Sequence, residues 1–458
     1  MTYTIMILPT LTNFLNHYPH APIVIAYSGG VDSQVLLHAI AQLKKNNMVN
    51  QAVMAIHVNH GLSQSAGQWQ QFAKQQCQLL NIDFKTINVN VIDKPRTSLE
   101  AQARDARYQA LADLSPSNAV ILTGHHQDDQ VETFFLSLKR GSGLKGLSAM
   151  AMVSSFANAK QKLLRPLLQI SRENIVCYAQ ENQLTWLEDE SNDDIRFDRN
   201  FLRKEILPQL KARWLNFNDT VMRSTQHCQE AQSILDEVAA QDLAQCIQAQ
   251  RVLSIAPLLL LSQARFNLVI RYFIEQHQGL MPSQQQLQQL YQQLTEAGKD
   301  KNPAVKLGEI WLRRFQDKLY LTEDYQSVIN WRYDYDLAQT HGEYSIELPD
   351  GLGDVTVTYD ELNVHEKSFT LSLPDSLQSM SIVFAHDNPK CLPEYRQQSR
   401  PLKKVLQELS IPPWQRKRLP LLFINDELAA VIGYFVCQPF SENKHQQKIM
   451  VHWQKESG

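Results

Sequence analysis

The segment Ser28-Gly29-Gly30-Val31-Asp32-Ser33 places two glycines, two hydroxyls and a carboxylate between an apolar run, Ile23 to Tyr27, and an apolar-periodic stretch, Gln34 to Leu43. Adjacent glycines let a backbone approach an anion closely, and the positive end of a helix starting there favours negative charge. The pattern predicts a phosphate-holding turn built from Ser28, Gly29, Gly30, Val31, Asp32 and Ser33. A plain strand-to-helix turn capped by Asp32 or Ser33 would use the same residues. A Walker A loop is excluded, because no G-x-x-x-x-G-K followed by Ser or Thr occurs anywhere in the chain.

A second group is acidic. Asp128, Asp129 and Glu132 follow the apolar run Ala119 to Thr123 and open a helical pattern, with Asp128 and Glu132 four residues apart on one side. Such acids serve as first-turn residues favoured by the helix dipole, as a seat for an ammonium group, as Mg²⁺ ligands beside phosphates, or as a general base for an attacking amine. The sequence leaves these roles open. Glu100, Arg104 and Arg107 or Tyr108 share a helical face, so the arginines suit developing phosphate charge; an ordinary surface Glu–Arg pair is the plain alternative. His57, His60, His125 and His126 flank the same strand ends. Chemistry on phosphates calls for a hard, oxygen-ligated cation, so we read them as pocket lining rather than as an imidazole metal site.

Basic residues gather twice. Glu394 to Arg418 holds Arg396, Arg400, Lys403, Lys404, Arg416, Lys417 and Arg418 against Glu394 and Glu408, a local excess of +5, interleaved with Tyr395 and Trp414. Solvated faces are the usual fate of charge runs, but phosphate contacts interleaved with stacking rings point to RNA. Arg196, Arg199, Arg203 and Lys204 form the second cluster.

The elements that must position these groups can be read from the pattern. Ile23 to Tyr27, Ala52 to Val58, Phe84 to Val91 and Ala119 to Thr123 read as strands, alternating with helices at roughly Ser33 to Lys44, Ala66 to Leu80, Ser98 to Leu114 and Asp128 to Leu138. This alternation predicts βαβ units and a parallel sheet, with ligands beyond the carboxyl ends of its strands. From about Asn216 the apolar spacing becomes helical, including Val252 to Phe273 and a Gln-rich helix from Ser283 to Leu294. After Asn330, strands such as Tyr344 to Leu348 and Val355 to Tyr359 precede a basic helix near Pro401 to Leu409. The expected division is 1–215, 216–330 and 331–458: an α/β domain, a helical domain and a mixed α/β domain.

The chain has 458 residues, 43% hydrophobic, with 44 Lys plus Arg against 47 Asp plus Glu, so bulk charge does not drive it onto nucleic acid. Its six cysteines are dispersed without a CxxC pair, which indicates neither a zinc site nor a disulfide framework. No Lys or Arg precedes Lys44 and no long apolar run occurs, so neither a signal peptide nor a membrane span is expected, and the predicted location is cytoplasmic.

The S-G-G-x-D-S loop resembles that of the PP-loop ATP pyrophosphatases, which cleave ATP between the α and β phosphates. Further motifs narrow the resemblance: His57-Val-Asn-His-Gly-Leu62, Glu100-Ala-Gln-Ala-Arg104-Asp-Ala-Arg107-Tyr108, Thr123-Gly-His-His-Gln-Asp-Asp129-Gln-Val-Glu132-Thr, Leu164-Arg-Pro-Leu167, Glu188 to Asp193 and Arg199-Asn-Phe-Leu-Arg203. In this order, with the C-terminal Leu402 to Glu408 and Ile411 to Phe423, they resemble the tRNA(Ile)-lysidine synthetase family along essentially the whole chain. The resemblance implies an adenine nucleotide alpha hydrolase-like, Rossmann-like fold for the first domain. It implies ATP as co-substrate with Mg²⁺, L-lysine as amine donor, and tRNA(Ile) with a CAU anticodon as acceptor, with a homodimer carried as a further expectation. It places Ala26 and His57 beside the nucleotide and gives Asp32, Arg104, Asp128, Asp129 and Glu132 to catalysis. Arg199, Arg203, Lys403, Lys404, Arg416 and Arg418 fall to the tRNA. The competing readings are a tRNA thiolase of the same superfamily, disfavoured by the lack of paired cysteines, and a catalytically silent module that binds ATP and tRNA.

Overall fold

The structure, a computed structural model, describes residues 4–59, 66–89, 99–156, 160–188, 193–296, 302–336, 342–359, 368–441 and 447–455, and the chain divides into two compact units, Met1–Val238 and Ala239–Gly458.

In the first unit the order is α1 (Thr4–Leu15), β1 (Ile23–Ala26), α2 (Val31–Lys45), β2 (Val53–Asn59), α3 (Ala66–Leu79), β3 (Asp83–Asn88), α4 (Leu99–Leu114), β4 (Val120–Leu122), α5 (Gln127–Lys139), α6 (Leu144–Leu147), β5 (Val153–Phe156), β6 (Gln161–Leu164) and α7 (Arg172–Glu181). The strands form one sheet ordered β3-β2-β1-β4-β6-β5, parallel except for β5. Ile23, Val24 and Ile25 are fully buried, because helices cover both faces of the sheet at this central strand. α1, α2 and α7 contribute to the core on one face, and Tyr108 and Leu111 of α4 to that on the other.

β1 and β4 are neighbours although three helices and two strands separate them in sequence. The strand order reverses between them, and at such a switch point the loops leaving the two carboxyl ends splay apart and open a crevice. The Ser28–Ser33 loop and the acids after β4 therefore meet.

Beyond the sheet run α8 (Asp198–Phe201), one π-helical turn (Leu202–Ile206), α9 (Leu207–Arg213) and the long α10 (Phe217–Cys246). The region read as helical from 216 to 330 also holds β7 (Ile247–Ala249), β8 (Val252–Ser254), β9 (Ala304–Leu307), β10 (Ile310–Phe315) and β11 (Lys318–Glu323), an antiparallel sheet ordered β7-β8-β11-β10-β9. Helical spacing from Val252 hid β8, whose partner Leu319 lies far along the chain. Three helices accompany the sheet, α11 (Ile255–Leu260), α12 (Gln263–Gln276) and the Gln-rich α13 (Gln284–Glu296). Leu287, Leu290 and Leu294 of α13 join the core, so its glutamines form the solvated side, as the spacing predicts.

The C-terminal part carries a five-stranded and a four-stranded antiparallel sheet around one core, with the short helix Leu402–Glu408 packed by Leu402, Val405 and Leu406. Among the described residues no helix is long and apolar enough to cross a membrane.

Candidate active site

β1 delivers the chain to Tyr27, and the turn that follows needs its glycines. Gly29 has φ +93°, and a Cβ there would meet the Trp69 ring at 3.4 Å. Gly30 is extended and caps α2. Ser33 Oγ accepts from Ser28 N (3.2 Å) and Gly29 N (3.1 Å) and donates to Gly30 O (3.0 Å). The turn is thus closed by its own serine, and the Ser28 and Gly29 amides expected at the anion point to that hydroxyl. The first α-helical bond runs from Gln34 N to Gly30 O (2.9 Å), so the amides of Val31, Asp32 and Ser33 stand ahead of it and head the helix dipole.

His57 on β2 is 6% exposed. Its buried Nδ1 donates to Tyr27 O (3.0 Å), and burial holds its pKa below the ordinary value, so a neutral imidazole ties β2 to the end of β1 beside Ala26. His60 and residues 189–192 lie outside the described residues, as does the side chain of Glu100.

Gly124 sets the distance between the two loops. A Cβ there would lie 2.9 Å from Asp32 C and 3.1 Å from Ser33 N, so only glycine lets the loop after β4 rest on the first turn of α2. His126, two residues on, is 1% exposed; its Nε2 lies 3.6 Å from Asp32 Oδ1 and 3.5 Å from Asp129 Oδ2, and its Nδ1 4.0 Å from Asp128 Oδ2. Burial pushes the imidazole pKa down, but these three carboxylates together outweigh it and raise the value above the usual one. The sequence pattern makes this histidine pocket lining; in the fold it bridges the charge of the phosphate loop and of α5.

The three acids of α5 separate by partner. Asp128 Oδ2 accepts from Arg172 N at the start of α7 (3.0 Å), and Oδ1 accepts from Asn218 Nδ2 (3.1 Å) and from Lys211 Nζ. Burial raises its pKa, but these donors, Lys211 first, bring it down to about 2. Glu132, with a side chain 1% exposed, receives Arg199 Nε (2.7 Å), Arg203 Nε (2.6 Å) and Arg203 Nη2 (2.9 Å). Asp129 takes His126 N on Oδ2 (3.0 Å), while Arg203 and Arg199 stand 3.5 and 3.6 Å from its Oδ1. Arg199 and Arg203, expected at the tRNA, thus direct their Nε donors inward to Glu132; the π-helical turn carries Arg203 there.

Arg104 on α4 donates to Tyr108 OH (3.4 Å). His125 Nδ1 lies 2.8 Å from Thr123 Oγ1, and burial with Arg165, Arg107 and Arg199 nearby lowers its pKa to about 3 against the pull of Asp129. Among the described residues no group of three or more His, Cys, Asp or Glu side chains is arranged to hold a metal ion. Asp32 Oδ1 is buried without a hydrogen-bond partner and faces His126 Nε2 at 3.6 Å, so this carboxylate could hold a cation carried by phosphates.

In the second unit the basic window divides. Lys403 and Lys404 are exposed on the helix Leu402–Glu408. Arg416 Nε donates to Ile411 O (2.7 Å), and Arg396 and Arg400 pair with Glu408. Arg418 lies apart from that surface. It is 9% exposed, donates to Asp350 Oδ2 (2.5 Å), Asp350 O (3.0 Å) and Gln326 O (3.2 Å), and sits 4.3 Å over the Tyr325 ring.

The chain is similar to known proteins along nearly its whole length. A PP-loop domain model matches residues 5–210, a TilS substrate binding domain model 253–320 and a TilS substrate C-terminal domain model 380–453. The chain is 41% identical over 440 residues to the tRNA(Ile)-lysidine synthase of Serratia proteamaculans (strain 568), covering 95% of this chain and 96% of that one. It is 40% identical over 434 residues to that of Edwardsiella ictaluri (strain 93-146), covering 95% of each. Because three successive domain models match along the chain and these relatives match it nearly end to end, it belongs to the tRNA(Ile)-lysidine synthase family.

Proposed function

We propose that the protein ligates L-lysine to C2 of the wobble cytidine in the CAU anticodon of tRNA(Ile), with ATP converted to AMP and pyrophosphate, in the cytoplasm. The observation that carries this reading is the Gly124 contact, which sets the phosphate loop against the His126–Asp129 stretch with Asp32 and Asp129 both facing Nε2 of one imidazole.

In the first step the cytidine O2 attacks the α-phosphorus and pyrophosphate leaves. The α2 N-terminal amides hold the departing phosphates, and Arg104 faces the charge that develops. Asp32 would hold Mg²⁺ together with the phosphates, and the cation would supply charge neutralisation there. In the second step the lysine ε-amine attacks C2 and AMP leaves with the C2 oxygen. Glu132 is saturated by two guanidiniums and Asp128 by Lys211, Arg172 N and Asn218, whereas Asp129, beside its bond from His126 N, meets Arg203 and Arg199 only at 3.5 and 3.6 Å, so of the three acids it keeps the most acceptor capacity to seat the ammonium and take its proton. Residues 1–215 carry this chemistry, and 216–330 with 331–458 engage the tRNA, Lys403 and Lys404 through its phosphates.

Incubation with ATP, labelled lysine and tRNA(Ile) transcript tests the reading. One labelled lysine on a nucleoside per AMP and pyrophosphate is expected. Asp32→Ala should abolish pyrophosphate release with unchanged melting. AMP formation without a lysine-bearing nucleoside would overturn it.

A further inference from the structure

Arg165 and Arg107 have no part in the reading above, yet both stand at the carboxyl-end edge of the site. Arg165 directly follows β6. Thr123 N donates to Leu164 O (3.0 Å), so Arg165 emerges beside the stretch that carries His125 and His126. It is 7% exposed; Nη1 donates to Ala151 O (2.7 Å) and Ser154 Oγ (3.3 Å), whereas Nε is buried with no hydrogen-bond partner. α4 covers this edge through Tyr108, which packs edge-on against Phe156 of β5 with ring centroids 5.6 Å apart. Arg104 and Arg107 lie over the Tyr108 ring, 5.3 and 5.5 Å from its centroid.

Among the described residues no carboxylate pairs with Arg104, Arg107 or Arg165; Glu132 and Asp129 are engaged by Arg199 and Arg203. The Tyr108 hydroxyl serves Arg107 and Arg165 as well as Arg104, yet three like charges gathered around one neutral ring with an orphaned donor are costly unless an anion completes them, and the planar fork of arginine matches phosphate oxygens. The neighbouring imidazole, His125, is held neutral and so adds no competing positive charge.

We propose that Arg104, Arg107 and Arg165, gathered around Tyr108 beside the ends of β4 and β6, form a subsite for a phosphate group of a substrate, with Arg165 Nε as the donor left to receive it. The assignment rests on the function proposed above for its two sources of phosphate: the α-phosphate of the nucleotide, or a backbone diester of the tRNA next to the base being modified.

Arg165→Gln, Arg107→Gln and Arg165→Lys separate these sources when ATP binding is measured by calorimetry and tRNA binding across a salt series, both without turnover. A rise of about tenfold or more in the Kd for ATP with tRNA binding unchanged assigns the subsite to the nucleotide. A weaker tRNA complex whose salt slope falls by about one, with ATP binding unchanged, assigns it to the RNA. In either case Arg165→Lys should recover part of the loss. Folded Gln variants that bind both ligands like the parent would overturn the subsite and leave these arginines as packing. Because Arg165 also holds the Ala151 carbonyl, Arg107→Gln supplies the reading if Arg165→Gln does not fold. A parent protein that binds ATP and tRNA but forms no lysidine would overturn the proposed function without touching the subsite.

Discussion

In sequence the α5 acids and the basic window Glu394 to Arg418 are alike, each a cluster of one sign of charge, but they fold into opposite situations. Around α5, charges from distant segments converge on one another: Glu132 is closed by Arg199 and Arg203, and Asp128 by Lys211. In the window, arginines and lysines part company. Arg418 goes inside to Asp350 and Tyr325 and Arg396 and Arg400 go to Glu408, while Lys403 and Lys404 stay exposed. Arginine offers several donors in a fixed plane and is weakly hydrated, so it satisfies buried acceptors; the strongly hydrated lysine ammonium stays in water. A run of charge in a sequence is therefore not yet a charged surface.

The sharpest way to break the contrast is Glu132→Gln. An amide leaves two guanidiniums without their carboxylate at a site excluded from water. We expect a loss of stability of about 3–5 kcal/mol by denaturant titration and a fall in lysidine formation of ~10³-fold in whatever folds. A variant as stable as the parent would mean that the pairs form only a loose surface network. Arg418→Ala should come next, destabilising the protein by about 2–3 kcal/mol through the unpaired Asp350 while leaving the salt slope of tRNA binding unchanged. If that slope fell instead, Arg418 would belong to the RNA surface after all.

Asp128 gives a pH signature. Its carboxyl has a folded pKa of about 2 against 3.8, so it contributes ~2 kcal/mol of stability that is present above pH about 4 and is lost as pH falls through about 2. Asp128→Asn should remove that acid-side loss, read as a flatter stability profile between pH 4 and 2. An unchanged profile would show that Lys211 does not hold the acid. The smallest effect is expected for Lys403→Ala with Lys404→Ala. Melting should not move, ATP binding should stay, and the salt slope of tRNA binding should fall by about two. No change in slope would make this helix merely solvated.

The sequence alone determined the parallel α/β domain, because a strand buried on both faces must read as an unbroken apolar run such as Ile23 to Ile25, and the glycines and helix start after it are local requirements of one turn. It also brought the acids after β4 to the same end of the sheet, since strand direction follows from βαβ alternation. It missed the antiparallel sheet of the middle region, whose hairpins β7–β8 and β9–β10–β11 are joined into one sheet only by the long-range pairing of β8 with β11, as Leu253 finds Leu319. It could not divide the work among Asp128, Asp129 and Glu132. Their spacing on a helix is the same whatever faces them, and what faces them comes from Arg172, Lys211, Asn218, Arg199 and Arg203, all at least 40 residues away. Gly124 was the one legible clue left unused, a glycine between strand and helix. Its reason, a carbonyl carbon 2.9 Å from where its Cβ would lie, exists only once β1 and β4 are side by side. Motif residues are set by local backbone geometry and survive in the sequence; the charge state and free acceptors of a site are set by distant donors, and only tertiary structure supplies those.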